Sequence, residues 1–577
     1  MKHSAKTFSA FAVYIFSIFI ASSIASEPGG AYSTPLTVDE EHAEKFSKLL
    51  VQDVQGRIKP MDSLSMEIMN KIARTREMHG MNYNQIILGM LADPQTWANV
   101  PVIKVSDTEI KRIIGLGKNQ NYAAFSDFID NSRSQPYKLN GLVGTAMRKD
   151  QSKRNKLDKA AIKLEEVVNI TFMTFRGDLF KIFPIEGDPN NTWQFAISPH
   201  ENPSVDSSEV QALFNDYRMS VKRAMTDGNW SSADEKLEKI QQYQIHYAAD
   251  IIPSDVEIKA EIFFNEFNIF DRLTPVYLLS GLALLILSFI EIIMDKKTIP
   301  VVSKILKYTI AAGFGFHTFG LALRWYISGH APWSNGYESL IYIAWAMLVA
   351  GLYFGMNSSL ALSTASIMSG LSLFVAHLSW MDPQITNLVP VLKSYWLTIH
   401  VSMISGSYGF LSLGALLGLT SLLLMIFRNE KKPRVDHAIK HILKIDEMTL
   451  IVGIALLSVG NLLGAVWANE SWGRYWSWDP KETWTLVSIM VYAIILHIKY
   501  IPALNNGYIF ASASLWGFAS ILMTYFGVNY FLSGLHSYAG GEAPQIPSFI
   551  FFIIAGLASI TVLAHGKRDS KFPFIKS

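Results

Sequence analysis

Near residue 271 the distribution of apolar positions along the chain changes abruptly. Beyond it, apolar runs of similar length recur at 273–294, 306–327, 338–355, 359–380, 395–427, 448–467, 482–500, 509–533 and 548–565. Each is long enough to cross a hydrocarbon core about 30 Å thick. The pattern predicts a mainly α, polytopic membrane protein with about nine spans. Before residue 271 polar and apolar positions are mixed. Amphipathic runs at 40–69 and 206–247, with turn residues at 187–191, predict one soluble, mainly helical domain over 27–270. Lys2 and Lys6 precede an apolar stretch at 8–24 and small residues before Glu27-Pro28. That order reads as a signal peptide or signal anchor over 1–26, so the domain after it is expected to be exported.

Charge orients the spans. Lys296, Lys297, Lys304 and Lys307 lie in one loop; Arg428, Lys431, Lys432, Arg434, Lys440 and Lys444 in another; and Lys567, Arg568, Lys571 and Lys576 in the tail. With the expected spans these three segments share a side, which is cytoplasmic by the positive-inside rule. The opposite side then carries the exported domain and the loops at 328–337, 381–393, 472–484 and 533–547. Composition narrows the chemistry. Half of the 577 residues are hydrophobic, 17% are charged and the net charge is +2, with no clustered basic face to suggest nucleic acid. Cysteine is absent. That excludes disulfides, thiolate catalysis, Cys-held zinc or iron–sulfur sites, and attachment of haem to this chain's own thiols.

The outer segment WGRYWSWDPKETW, 472–484, concentrates aromatic faces beside fixed charges. Such a surface suits a flat, apolar ligand with an anionic edge, although an aromatic belt anchoring two helices has the same composition. Trp472, Tyr475, Trp476 and Trp478 are the candidate lining, with Arg474 and Lys481 as candidate partners for anionic groups. Asp479-Pro480-Lys481-Glu482 also has the order of an N-cap, a first-turn proline and a third-position glutamate, which predicts a helix start. Two histidines fall at the same level: His400 just inside a span that begins on the outer side, and His536 just beyond one that ends there. Two imidazoles on opposite faces of a macrocycle make a six-coordinate iron site. His330 and His377 compete for that role, and His42, His79, His200 and His246 are isolated by spacing. His497 lies near the inner end of its span and His317 nearer the middle. Each is either a functional group or a helix-to-helix hydrogen bond.

Four stretches in order, RWYISGHAPWSNGYES from Arg324, SYWLTIHV ending at Val401, WGRYWSWDPKETW, and GVNYFLSGLHSYA from Gly527, strongly resemble the CcsA/ResC-type membrane protein of System II cytochrome c biogenesis. The resemblance covers 271–577. It implies a multi-pass protein of the bacterial cytoplasmic (inner) membrane, with the soluble domain and Trp-rich loop on the periplasmic side. It further implies that haem b, as a substrate in transit, is exported and presented to an apocytochrome c, whose Cys-x-x-Cys-His thiols join the vinyl groups; thiol-reducing proteins are further implied partners. His400 and His536 match the family's outer haem ligands and His497 its intramembrane histidine; the Trp-rich residues Trp472 to Asp479 form the platform. In the family a CcsB/ResB-type partner, separate or fused, supplies a further histidine at the inner site. Only a signal-like segment precedes the soluble domain here, so a separate partner is expected. His317 is the alternative second inner ligand, although at 1.5 Å per residue its depth differs from that of His497 by about 10 Å. An electron-transferring b-type cytochrome and a small-molecule transporter are the competing readings. The first usually pairs histidines on facing spans, and no inverted repeat supports the second.

Overall fold

The computed structural model describes residues 32–130, 137–195, 207–294, 300–355, 358–378, 381–388, 392–429, 433–532, 534, 546 and 548–566. The signal segment, His200, His536 and the basic tail lie outside the described residues. The chain forms two compact units, Met1–Asn265 and Glu266–Ser577.

The first unit is mainly helical, its longest helices being Lys156–Arg176, Ser207–Asp227 and Ser231–Ala248. It also holds a small antiparallel sheet that the sequence pattern did not announce, because strands of three or four residues leave no alternation to detect. In that sheet Leu50–Gln52 pairs on one side with Ile58–Pro60, in the register Leu50 to Pro60, and on the other with Lys181–Pro184, which in turn pairs with Trp193–Phe195. Gln244 stitches a helix to the sheet. Its amide donates to the Leu50 and Ile182 carbonyls, both at 2.8 Å, and its oxygen accepts from Leu50 N–H at 3.2 Å. A buried glutamine is tolerated because its groups are satisfied.

His42 is also structural. Its ring is buried, with Nδ1 2.7 Å from Asp234 Oδ1 and Nε2 3.1 Å from the Tyr217 hydroxyl. A neutral ring fits this place, donating to the carboxylate and accepting from the phenol. Burial lowers its pKa below the ordinary 6.5, outweighing the raising effect of Asp234. The unfolded chain therefore binds a proton that the folded one excludes as pH falls below 6.5, and stability drops toward acid by at most about 1.4 kcal/mol per pH unit. Hydrogen exchange over Glu40–Ser47 and Ser231–Ala248 should speed up between pH 7 and pH 5, after correction for intrinsic rates. His42→Gln should flatten that dependence.

The second unit is helical: α1 (Ile269–Ile293), α2 (Pro300–Ser328), α3 (Gly336–Gly355), α4 (Ser359–Ala376), α5 (Tyr395–Ile426), α6 (Pro433–Trp472), α7 (Pro480–His497), α8 (Gly507–Phe531) and α9 (Phe549–His565). Among the described residues seven helices are long and apolar enough to cross a membrane, α1 (as part of Asp255–Ile293) and α3 to α8. The other two expected spans are helices as well. α2 carries Lys304, Lys307, His317 and Arg324, which dilute its apolar character, and α9 is a shorter apolar helix of 17 residues. The chain is a membrane protein. Its central pair is α5 and α6, which approach closely at glycines: a side chain at Gly453 would collide with Leu411, and one at Gly460 with Ile404. In lipid, where apolar side chains gain little by leaving their surroundings, small residues of this kind let helices pack by close contact.

Candidate functional site

The N-terminal end of α5 and the C-terminal end of α6 lie side by side at the site. α6 stops because Gly473 adopts φ +70°, and its N–H returns to the Asn469 carbonyl at 2.9 Å. A left-handed residue there closes the helix without the steric cost a side chain would bring. The Trp-rich turn follows at once. Trp467 and Trp472, near the end of α6, meet at 4.8 Å and 65°; Trp476 and Trp478 meet edge to face at 5.7 Å and 89°. Arg474 and Tyr475 are exposed, and Trp478 is 70% exposed. Trp478 also has φ +58°, a conformation that costs a non-glycine residue roughly 1–2 kcal/mol. The strained backbone thus presents a large aromatic side chain to the exterior rather than packing it.

The helix-start reading of Asp479 to Glu482 holds in full. Asp479 caps α7 through Oδ1, which accepts from Lys481 N–H at 2.9 Å, with Pro480 in the first turn. Glu482 reaches back to the Ser477 N–H at 2.9 Å and the Asp479 N–H at 3.3 Å. The same carboxylate thus starts α7 and fixes the turn's exit. Gly534 lies against this start: a Cβ there would sit 2.2 Å from Asp479 Oδ2 and 2.8 Å from Pro480 Cδ. Gly534, two positions before His536 in the sequence, is thus packed on the end of the turn where α7 begins.

His400 lies on the facing helix. Its Nδ1 is 2.7 Å from the Gly460 carbonyl on α6, and its ring is packed on Gly464, where a Cβ would fall 2.5 Å from Cε1 and 2.7 Å from Nδ1. The carbonyl holds the proton on Nδ1, so Nε2 is the basic nitrogen. A metal-binding imidazole is oriented in this way by a hydrogen bond to its other nitrogen. The same α5 segment is braced from two sides. Ser394 donates to Glu470 at 3.0 Å, and the Trp333 indole donates to the Thr398 carbonyl at 3.0 Å.

Behind Trp333 is a buried ion pair that sequence reading passed over, although both residues stand in the RWYISGHAPWSNGYES stretch. Arg324 and Glu338 are 1% and 0% exposed and meet at 2.9 Å. Arg324 also donates to the Pro383 and Gln384 carbonyls at 3.0 and 3.2 Å, while Glu338 Oε2 accepts from Ser334 N–H and hydroxyl at 2.9 and 2.6 Å. This clip fastens the 328–335 loop to the segment after α4.

The other histidines are placed differently. His497, the last residue of α7, is exposed, with Nδ1 2.7 Å from the Ala493 carbonyl. The bond again leaves Nε2 as the basic nitrogen. His317 is fully buried between α1, α2 and α3: Nε2 lies 3.0 Å from the Ile341 carbonyl and Nδ1 3.4 Å from the Tyr277 hydroxyl. With both nitrogens engaged it serves as a helix-to-helix link, and this geometry favours that reading over inner ligation. His330 faces the Ala331 and Thr386 carbonyls, at 3.2 and 3.1 Å. His377 faces the Leu373 carbonyl at 2.7 Å and Asp271 at 2.8 Å. The structure thus seats His400 on Gly460 and Gly464 of α6, the helix that ends in the Trp-rich turn, sets Gly534 against the start of α7, and holds His317, His330 and His377 through hydrogen bonds or an ion pair.

Comparison with known proteins agrees in extent with this site. The family described as Cytochrome C assembly protein matches residues 333–536, from Trp333 of the braced loop to His536. Protein NrfI of Wolinella succinogenes is 42% identical over 507 residues, covering 87% of this chain and 55% of that protein, so the chain spans about half of NrfI's length. The cytochrome c biogenesis protein CcsA of Guillardia theta is 37% identical over 245 residues, 38% of this chain and 81% of that protein. Its counterpart in Chlorella vulgaris is 34% identical over 257 residues, again 38% and 81%. The chain belongs to the CcsA family of cytochrome c biogenesis proteins.

Proposed function

We propose that this chain works in cytochrome c biogenesis by holding haem at the outer, periplasmic face of a bacterial cytoplasmic membrane and presenting it to an apocytochrome c. The observation that carries this reading is the seat of His400, with Nδ1 fixed by the Gly460 carbonyl and the ring set on Gly464 of α6, the helix that ends in the Trp-rich turn. His400 and His536 take the two faces of the iron. Trp472, Tyr475, Trp476 and Trp478 flank the macrocycle, Arg474 stands at its exposed edge, and Asp479 fixes the turn's orientation. Haem here is a substrate, and its vinyl edge stays open. Each thiol of the incoming Cys-x-x-Cys-His segment adds across one vinyl double bond, sulfur to one carbon and hydrogen to the other. This chain, having no cysteine, supplies neither sulfur and so releases its product. His497, exposed at the far end of α7, is an inner haem ligand completed by a CcsB/ResB-type partner.

The test is direct. His400→Ala and His536→Ala should each leave the amount of membrane protein near normal while bound haem, read by absorption spectrum and pyridine haemochrome, falls at least severalfold. Mature cytochrome c should fall with it. Normal maturation in both variants would remove the assignment, and a haem spectrum that responds to quinol without any effect on maturation would favour electron transfer instead.

A further inference from the structure

Lys481 occupies an unusual position for a cation. It is the second residue of α7, where the unpaired N–H groups already give the helix end a partial positive charge. Its ammonium turns toward α8 instead of joining Arg474 on the exposed turn. There it donates to Asn529 Oδ1 at 2.6 Å and stands 6.0 Å from the centre of the Tyr525 ring. Among the described residues no carboxylate forms an ion pair with it. The two acids beside it are committed elsewhere: Asp479 Oδ1 caps its backbone N–H, and Glu482 holds Ser477 and Asp479. An amide oxygen and an aromatic face orient the ammonium, Asp479 acts on it only through space without an ion pair, and an ionisable group inside a helical membrane unit marks a ligand pathway or site.

Its surroundings belong to the haem platform. Asn529 and Tyr525 lie in GVNYFLSGLHSYA, the stretch that leads to His536, and Tyr525 sits in a π-helical turn, Met523–Gly527, that interrupts α8. Such turns recur at functional sites because one extra residue redirects the side chains that follow. The Tyr525 hydroxyl in turn donates to the Gly336 carbonyl at 3.2 Å, beside the loop that braces α5. One ammonium therefore touches the segment that carries His536 and stands at the foot of the Trp-rich turn.

We propose that Lys481, cradled by Asn529 and Tyr525, is the carboxylate-binding group of the outer site and receives a haem propionate. This rests on the haem-presenting reading above and adds which edge of the macrocycle points inward. With a propionate held at Lys481 within the helices, the vinyl edge is turned toward the exposed Tyr475 and Trp478, where a peptide can reach it.

The experiment uses the full chain in lipid nanodiscs and compares binding of haem with binding of haem dimethyl ester, whose propionates cannot ionise. The unaltered protein should prefer the diacid by roughly tenfold or more, the usual worth of a charge-assisted hydrogen bond. Lys481→Met should abolish that preference while binding the dimethyl ester with an unchanged spectrum, and Lys481→Arg should keep most of it. A Lys481→Met protein that retains the full preference overturns the proposal. So does a preference that follows the content of anionic lipid rather than residue 481, which would make the partner a lipid phosphate. Binding of neither compound by the unaltered protein removes the haem-presenting reading itself, and this inference with it.

Discussion

Arg324→Ala is expected to destabilise the second unit by about 3–5 kcal/mol, the usual consequence of leaving one member of a buried ion pair without its partner. Glu338 is completely buried, and after the change its Oε1 would face no cation. The Pro383 and Gln384 carbonyls would lose their donors as well. Arg324→Met with Glu338→Leu should be much milder than Arg324→Ala alone, because the double change removes both charges and fills the space with apolar atoms. Thermal unfolding in detergent, with protease sensitivity of the 381–388 segment as a local probe, separates the two cases. Equal stability of Arg324→Ala and the native protein would mean that the pair is solvated in the membrane-bound state.

Gly464→Ala is expected to mimic loss of His400 without touching it. The new methyl would fall 2.5 Å from Cε1 and 2.7 Å from Nδ1, closer than unbonded atoms sit, so the ring must move and surrender its bond to the Gly460 carbonyl. A displacement of this kind alters an axial ligand far more than it alters a fold. On the haem-presenting reading, bound haem should therefore fall severalfold, close to the level of His400→Ala. Cooperative unfolding should remain, because α5 and α6 still meet at Gly453 and Gly460. Full haem content with an unshifted spectrum in Gly464→Ala would show that the seat of His400 has no bearing on haem.

Local chemistry was legible in the sequence, and pairing was not. The apolar runs announced the helices, and Asp479, Pro480 and Glu482 announced the start of α7, because capping is decided within four residues. What could not be read depends on which helices touch. His400 meets a carbonyl 60 residues away, and only the α5–α6 pairing makes Gly460 and Gly464 more than two small residues in an apolar run. His317 reads in the sequence as either a ligand or a helix-to-helix link, and only the packing shows α1 and α3 meeting its two nitrogens, through the Tyr277 hydroxyl and the Ile341 carbonyl. Lys481 was grouped with Arg474 by proximity in the chain, whereas helix geometry turns one toward α8 and leaves the other on the exposed turn. Glycines at 453, 460 and 464, spaced by seven and four residues, are the one signal that would have marked the α5-facing side of α6 in advance.

α6 runs unbroken for 40 residues, about 60 Å, twice the thickness of the hydrocarbon core. At one level it holds Glu447, paired with Lys499 two residues beyond His497, and about 38 Å further along it ends in Trp472. A helix of that length with no proline in its interior can act as a lever. A tilt of about five degrees around its midpoint carries each end sideways by about 2.6 Å, so movement at the Pro433 end would change the spacing of the aromatic turn at the Trp472 end with no moving part between them.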